Sequence, residues 1–459
     1  MRRTLGLLAL WITLTGAATP LPLTPPLPDL TKLVPFAAAP LAKPPVTITA
    51  VARPRPPLDI DPIPPVRVTL PAAERPVAPL PPPRTLPCAA AWLGIASEAL
   101  ECGRARFQKE EYEDAVKALD AASRSTDREI SREGRYWLGE TYVRLGRLDQ
   151  ANVLFRQVAQ EGPRLEHGPW ALHSSGWAEL ALAKAEGARL AFTQFLGAPF
   201  PAALEGWARH GLALALYALG RYPEAEQTWA VLRTRPVPTV LARDVSFWYG
   251  ETLGRVGKYP EAATELTKFT QGGPHALLDS GTVRRGWWGL AAGQFPDSAA
   301  AFRAYLARAR GGAAGRTDAA SGARVTDPRA EREWAEAGLA LALLATGDWK
   351  QAQSAAAALE ARKSPLVLPV LLRLVASARE TPHRAETPAL IERVLGGNLT
   401  APVRAWLLLE KGVALAAEGN RDEARTQYEL ARDADPNSET GRTATYLVAQ
   451  TNFELREFT

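Results

Sequence analysis

Alanine returns along this 459-residue chain at a nearly constant interval. Ala115, Ala151, Ala188, Ala225, Ala262, Ala299, Ala352, Ala389 and Ala424 are separated by 36, 37, 37, 37, 37, 53, 37 and 35 residues. A fixed period of this size marks stacked supersecondary units, none of which can bury its apolar face alone. It predicts an all-α array over residues 88–459 rather than one globular core, and it lowers the expectation of an enzyme.

The residues before each alanine carry the chemistry of a tight helix–turn–helix. They read Lys109-Glu-Glu-Tyr-Glu-Asp-Ala115, Leu145-Gly-Arg-Leu-Asp-Gln-Ala151, Leu219-Gly-Arg-Tyr-Pro-Glu-Ala225 and Val256-Gly-Lys-Tyr-Pro-Glu-Ala262. Thr346-Gly-Asp-Trp-Lys-Gln-Ala352 and Glu418-Gly-Asn-Arg-Asp-Glu-Ala424 follow the same plan. Glycine after the first helix takes the left-handed conformation that closes its last carbonyls. Pro223 and Pro260 suit the first turn of the second helix, where no backbone donor is lost. Acidic residues there favour the positive end of the helix dipole. The small alanine then lets the second helix lie close to the first.

Apolar residues recur around these turns at helical spacing. One unit has Leu138, Gly139 and Tyr142 before the turn and Phe155, Val158 and Pro163 after it. Another has Gly412, Leu415, Tyr428, Ala431 and Pro436, and a third has Gly250, Leu253, Phe269 and Pro274. These residues resemble the tetratricopeptide repeat, with its Trp/Leu-Gly-Tyr first helix, Ala–Phe–Ala second helix and closing proline. The resemblance runs from residue 97 to 459. It departs from the family in period, 35–37 residues against about 34. It implies a right-handed α-solenoid of about nine to ten helix–turn–helix repeats; a different helical solenoid is the alternative fold. The 53-residue step exceeds one 37-residue period by 16, which matches the Gly/Ala/Arg stretch Gly311–Thr326. A flexible loop inserted at 310–329 is expected there. The segment from Tyr446 to Phe458 reads as the first helix of a tenth unit, either a terminal cap or the start of a repeat that stops short.

The N-terminal part is different material. Met1-Arg-Arg precedes an apolar run from Leu5 to Ala18 that is too short to span a bilayer comfortably. With small residues at its end, segment 1–18 reads as a cleaved secretory signal. No cysteine lies near the cleavage region, so a lipoprotein anchor is not expected, nor is a transmembrane span in the mature chain. Residues 19–87 hold 22 of the 39 prolines and lack apolar helical periodicity. They are expected to be a disordered, polyproline II-like linker reaching on the order of 200 Å. It would serve as a tether or as a ligand for an aromatic groove. Residues 1–87 carry nine Arg/Lys and four Asp/Glu, a net +5 that equals the whole-chain charge. Residues 88–459 are therefore neutral overall, which removes the main argument for nucleic acid as a partner.

Cys88 and Cys102 are the two cysteines. An exported protein could oxidise them, and closing so short a loop stabilises by roughly 3 kcal/mol. If Ala89–Leu100 is one helix running into Cys102, the sulfurs lie about 20 Å apart. Pairing then requires a break in that helix; the alternative is a buried thiol at Cys102 and a free one at Cys88.

Catalytic and cofactor motifs are not found. The five histidines show no zinc-ligand spacing, so no metal and no cofactor is expected. Gly254-Arg-Val-Gly-Lys258 lacks the Ser/Thr and the earlier glycine of a phosphate loop. What remains is the groove, which the resemblance places on the concave face of the first helices. Projecting that face gives Tyr136, Glu140, Arg144, Trp170, His173, Trp177, Trp207, His210, Tyr217, Phe247, Glu251, Arg255 and Trp288 as candidate groove residues, with Arg104, Trp334 and Trp406 beside them. The expected function is an exported, non-catalytic scaffold of the bacterial cell envelope, periplasmic or secreted. Its partner would be a protein or peptide, the proline-rich segment itself being one candidate. The alternative is a glycan-handling protein, since aromatic platforms also suit sugar faces.

Overall fold

The computed structural model describes residues 54–58, 60, 63–70, 74–82, 88, 95–310, 327–379 and 381–455. The expected signal segment 1–18, residues 19–53 and residues 311–326 of the loop expected at 310–329 lie outside the described residues, while Arg310, Pro328 and Arg329 of that expected loop are helical. Among the described residues there are nineteen α-helices and no strands. They are α1 (Ala96–Gln108), α2 (Tyr112–Ser123), α3 (Arg128–Arg144), α4 (Leu148–Glu161), α5 (Gly168–Ala181), α6 (Ala185–Leu196), α7 (Ala202–Ala218), α8 (Tyr222–Arg233), α9 (Ala242–Arg255) and α10 (Tyr259–Gln271). Then come α11 (Leu278–Ala291), α12 (Phe295–Arg310), α13 (Pro328–Ala345), α14 (Trp349–Ala361), α15 (Val367–Ala378), α16 (Thr387–Leu395), α17 (Ala401–Ala417), α18 (Arg421–Ala434) and α19 (Glu439–Leu455). None is long and apolar enough to cross a membrane. Each helix packs on the next, and successive odd-numbered helices also touch from α1 to α15. The fold is an α-solenoid of nine helix pairs followed by α19, with the odd helices forming the inner layer.

The turns behave as their sequences dictate. Gly146, Gly220, Gly257, Gly293, Gly347 and Gly419 all have φ between 72° and 90°. Glu110 and Ala183 stand at the same place in the first and third pairs, with φ of 63° and 57°. The helices of a pair approach closely where a first-helix glycine faces a large residue 16 positions later. An added Cβ would lie 2.7 Å from Phe155 at Gly139, 2.6 Å from Phe192 at Gly176, 2.6 Å from Phe302 at Gly286 and 2.6 Å from Tyr428 at Gly412. A larger side chain at these positions must displace the facing ring.

Two rungs of the alanine ladder need correction. In seven pairs the alanine is the fourth residue of the second helix and fully buried. In the sixth pair the fourth residue of α12 is Ser298, 1% exposed, and Ala299 is its neighbour. In the eighth pair Ala389 is exposed and Leu390 takes the buried position. That turn lacks the glycine and is built by a 3-10 helix over Pro382–Glu386, which shifts the register.

Cys88 and Cys102 form a disulfide, their Cα atoms 5.4 Å apart. The helix expected from Ala89 starts at Ala96 instead, after an extended Ile95. The separation of about 20 Å assumed one helix from Ala89, so it does not apply to a helix that begins at Ala96.

The turn positions give a test of opposite signs. Nothing lies within 4 Å of an added Cβ at Gly257, so Gly257→Ala should act through backbone strain alone and cost about 1 kcal/mol. Ala183→Gly should relieve a similar amount. Urea unfolding of the two variants should move the midpoint in opposite directions.

Candidate functional site: the groove of the odd helices

The described parts of the proline-rich segment, residues 54–58, 60, 63–70 and 74–82, lie as non-helical chain along the odd helices. This differs from the disordered spacer expected for 19–87. Its residue numbers rise as the helix numbers fall, so it lies antiparallel to the array. Ile63, Val66 and Ala78 are 2–3% exposed and belong to the main core, while Ile60, Val68, Val77 and Leu80 pack against it. Ile60, Ile63 and Val66 follow at intervals of three, the turn length of polyproline II. One edge of the tract is therefore apolar and faces the groove.

Three polar stations hold the segment. At the first, the Pro54 carbonyl accepts from Trp406 Nε1 at 3.0 Å and from Arg379 Nη2 at 2.8 Å. Arg379 also donates to Glu410 at 2.6 and 3.1 Å. At the second, Arg284 Nη2 donates to the Pro64 carbonyl at 2.9 Å, and the Val66 N–H donates to the Tyr217 hydroxyl at 3.1 Å. Tyr217 in turn donates to Glu251 Oε1 at 2.9 Å. Glu251 is fully buried and also accepts from Trp288 Nε1 at 3.0 Å and Arg255 Nε at 2.9 Å. Arg284 Nε stands 3.3 Å from its other oxygen. Burial, together with Glu251 beside it, pushes the Tyr217 hydroxyl well above its ordinary range, so it keeps the proton it donates.

The third station reads a side chain. Arg75 grips the buried Glu140 with both terminal nitrogens, at 3.1 and 2.5 Å. Ser174 donates to Glu140 at 2.6 Å and accepts from Arg75 at 2.8 Å. The Ala78 N–H donates to the Tyr136 hydroxyl at 2.9 Å, and Glu74 pairs with Arg144. Burial works against the Arg75 charge, but Glu140 more than offsets it and the guanidinium pKa is raised. Removing one partner of such a pair leaves a buried charge, at a cost of roughly 3–5 kcal/mol.

Of the expected groove residues, Tyr136, Glu140, Arg144 and Tyr217 touch the segment. Glu251, Arg255 and Trp288 form the layer that supports Tyr217. Trp177 and Trp207 stack edge-to-face, 6.1 Å between centroids, and wall a cavity of about 500 Å³ with Leu70, Arg75, Val143 and Leu148. Three assignments are corrected. His173 accepts from Trp177 Nε1 at 3.0 Å and is fully buried. His210 accepts from Trp229 Nε1 at 3.1 Å, also fully buried. Phe247 packs edge-on to Trp248 and against Phe269. These side chains turn between helices rather than toward the groove. Trp170 is half-buried against the same core. Arg104 pairs with Glu133, and Trp334 packs on Trp287. Trp406, named from the sequence, does meet the segment. Ser174, Arg284, Arg379 and Glu410 were not anticipated; their sign was a polar residue interrupting an apolar first-helix face.

The tetratricopeptide repeat family models match residues 100–165, and again 206–230 and 405–429. These stretches of the chain are tetratricopeptide repeats. Solved structures similar to it include a tetratricopeptide repeat protein from Parabacteroides merdae, 14% identical over 70% of this chain and 98% of that one, with a TM-score of 0.36. The C-terminal part of a repeat-containing protein from Cytophaga hutchinsonii is 12% identical over 67% and 98%, with a TM-score of 0.35. Yeast Tom70 is 13% identical over 79% and 96%, with a TM-score of 0.30. No curated protein matches the sequence significantly. A tetratricopeptide fold supports a role as a protein–protein interaction scaffold, and here the odd helices form its inner layer.

The buried histidines make stability pH-dependent. Burial lowers the His210 pKa from 6.5 to about 4. Between those values the unfolded chain takes up a proton that the folded chain refuses. The His210 contribution to stability is therefore level above pH 6.5 and falls as pH drops toward 4. From pH 7 to pH 5 the His210 share is about 2 kcal/mol. Urea unfolding at both pH values should show a smaller drop for His210→Gln than for the native chain by about that amount.

Proposed function

We propose that this protein is an exported, non-catalytic scaffold of the bacterial cell envelope whose groove takes an extended, proline-containing peptide. The observation that carries the reading is the groove's treatment of residues 54–82. It binds main-chain groups of extended chain at spaced stations and buries one apolar edge of it. That is the pattern of a surface that recognises peptide backbone. The export half rests on the sequence of residues 1–18 and is supported by the Cys88–Cys102 disulfide, a bond that persists in oxidising compartments. The glycan alternative depended on exposed aromatic faces. Tyr136, Trp177, Trp207, Phe247 and Trp406 are all at most 4% exposed with residues 54–82 in place, so none of these five offers an open face to a sugar in this arrangement.

A photocrosslinking residue at Val143, on the groove cavity, tests both halves in a bacterial host. The expected product is a mature chain lacking residues 1–18, recovered from the envelope fraction and joined to proline-containing segments of another protein. The same residue at Leu430, exposed on α18, should yield no such adduct. A product starting at Met1 in the cytoplasm, or equal labelling from both positions, contradicts the reading.

A further inference from the structure

Besides burying the apolar edge of residues 54–82, the groove holds them at polar stations, two of which are indifferent to side chain. Two stations bind the Pro54 and Pro64 carbonyls and the Val66 amide, groups that any extended chain offers. The third is selective. Glu140 is fully buried and its charge is met by Arg75 and Ser174. An occupant without a cation at this point would leave a buried carboxylate unpaired, which is strongly unfavourable. Beside Arg75 the segment also leaves room. The cavity of about 500 Å³ between Leu70, Trp177 and Trp207 is mostly apolar in its walls, with Glu74, Arg75 and Arg144 also lining it. Leu70 itself is 45% exposed. The segment thus meets the groove's charge requirement but not its volume.

We propose that residues 54–82 are a tethered competitor, holding the groove until a partner segment displaces them. The partner is an extended, proline-rich peptide of another protein with one arginine for Glu140. About five residues ahead of that arginine it carries a large apolar side chain that fills the Trp177–Trp207 cavity. This rests on the reading of the groove as a peptide site. The Cys88–Cys102 bond fixes the chain just beyond the competitor to α1, so a displaced segment stays at high effective concentration and can return. Occupancy in cis masks a peptide site from weak ligands and admits those that satisfy both the charge and the cavity.

The test uses the full, oxidised chain with a protease site inserted after Pro82, and a fluorescent synthetic peptide of residues 54–82 as probe. The uncut chain should bind the probe weakly. Cutting should raise its affinity at least tenfold, because the competitor no longer has the advantage of its tether. The Arg75→Ala probe should lose binding, and the Leu70→Trp probe should bind about tenfold tighter through the cavity. As a second route, Arg75→Glu in the uncut chain should raise affinity for the native probe with helical circular dichroism unchanged. A cut chain that stays helical yet takes up no probe, or releases its segment only as the helices melt, overturns the proposal and makes residues 54–82 a fixed part of the core. Probe uptake without any adduct in the crosslinking experiment supports the competitor and removes the scaffold reading instead, so the two failures are distinguishable.

Discussion

Everything in this molecule depends on how closely two helices can lie in each unit. The distance is set where a first-helix glycine meets a ring 16 residues later, as at Gly139 and Phe155 or Gly412 and Tyr428. A small residue at the fourth position of the second helix supports the same approach. Close pairs stack, and stacking puts the odd helices side by side as an inner layer. The main core then runs continuously from α1 to α17, since no unit can bury its apolar face without its neighbours.

That inner layer is polar where an all-helical core would be apolar. Glu140, Glu251, Arg284 and Glu410 are at most 3% exposed on it. Buried charges persist only when paired and hydrogen-bonded. Helix-borne partners satisfy part of the requirement, as Arg255 and Trp288 do for Glu251. The rest comes from the extended segment: Arg75 for Glu140, the Pro64 carbonyl for Arg284, the Pro54 carbonyl for Arg379. The segment gains in return, because proline-rich chain lacks amide donors and helical periodicity and cannot build a core of its own. Groove and segment each supply what the other lacks.

The repeat architecture was legible in the sequence because period, turn glycine and first-helix apolar spacing all report one local structure. Tyr136, Glu140, Tyr217 and Glu251 were legible as groove residues for the same reason. His173, His210 and Phe247 were misplaced because a helix face read by spacing blurs its edges, and one position of rotation turns a side chain from groove to interhelical core. Alanine alone does not mark the rungs at Ser298 and Leu390, because the physical marker is the fourth residue of the second helix. The disulfide was obscured by a helix start placed seven residues too early. The ordered segment did leave a signal. Ile60, Ile63 and Val66 repeat every third residue, an amphipathic pattern for polyproline II that a search at helix and strand periods passes over.

The central claim is that residues 54–82 are seated in the groove through main-chain hydrogen bonds. Amide hydrogen exchange of the full chain, resolved at Val66 and Ala78, tests it most directly. Bonds from these amides to Tyr217 and Tyr136 should slow exchange at least about a hundredfold below the unstructured rate, a local opening cost near 3 kcal/mol. Exchange at the unstructured rate at both amides, with the helices protected, would contradict the account.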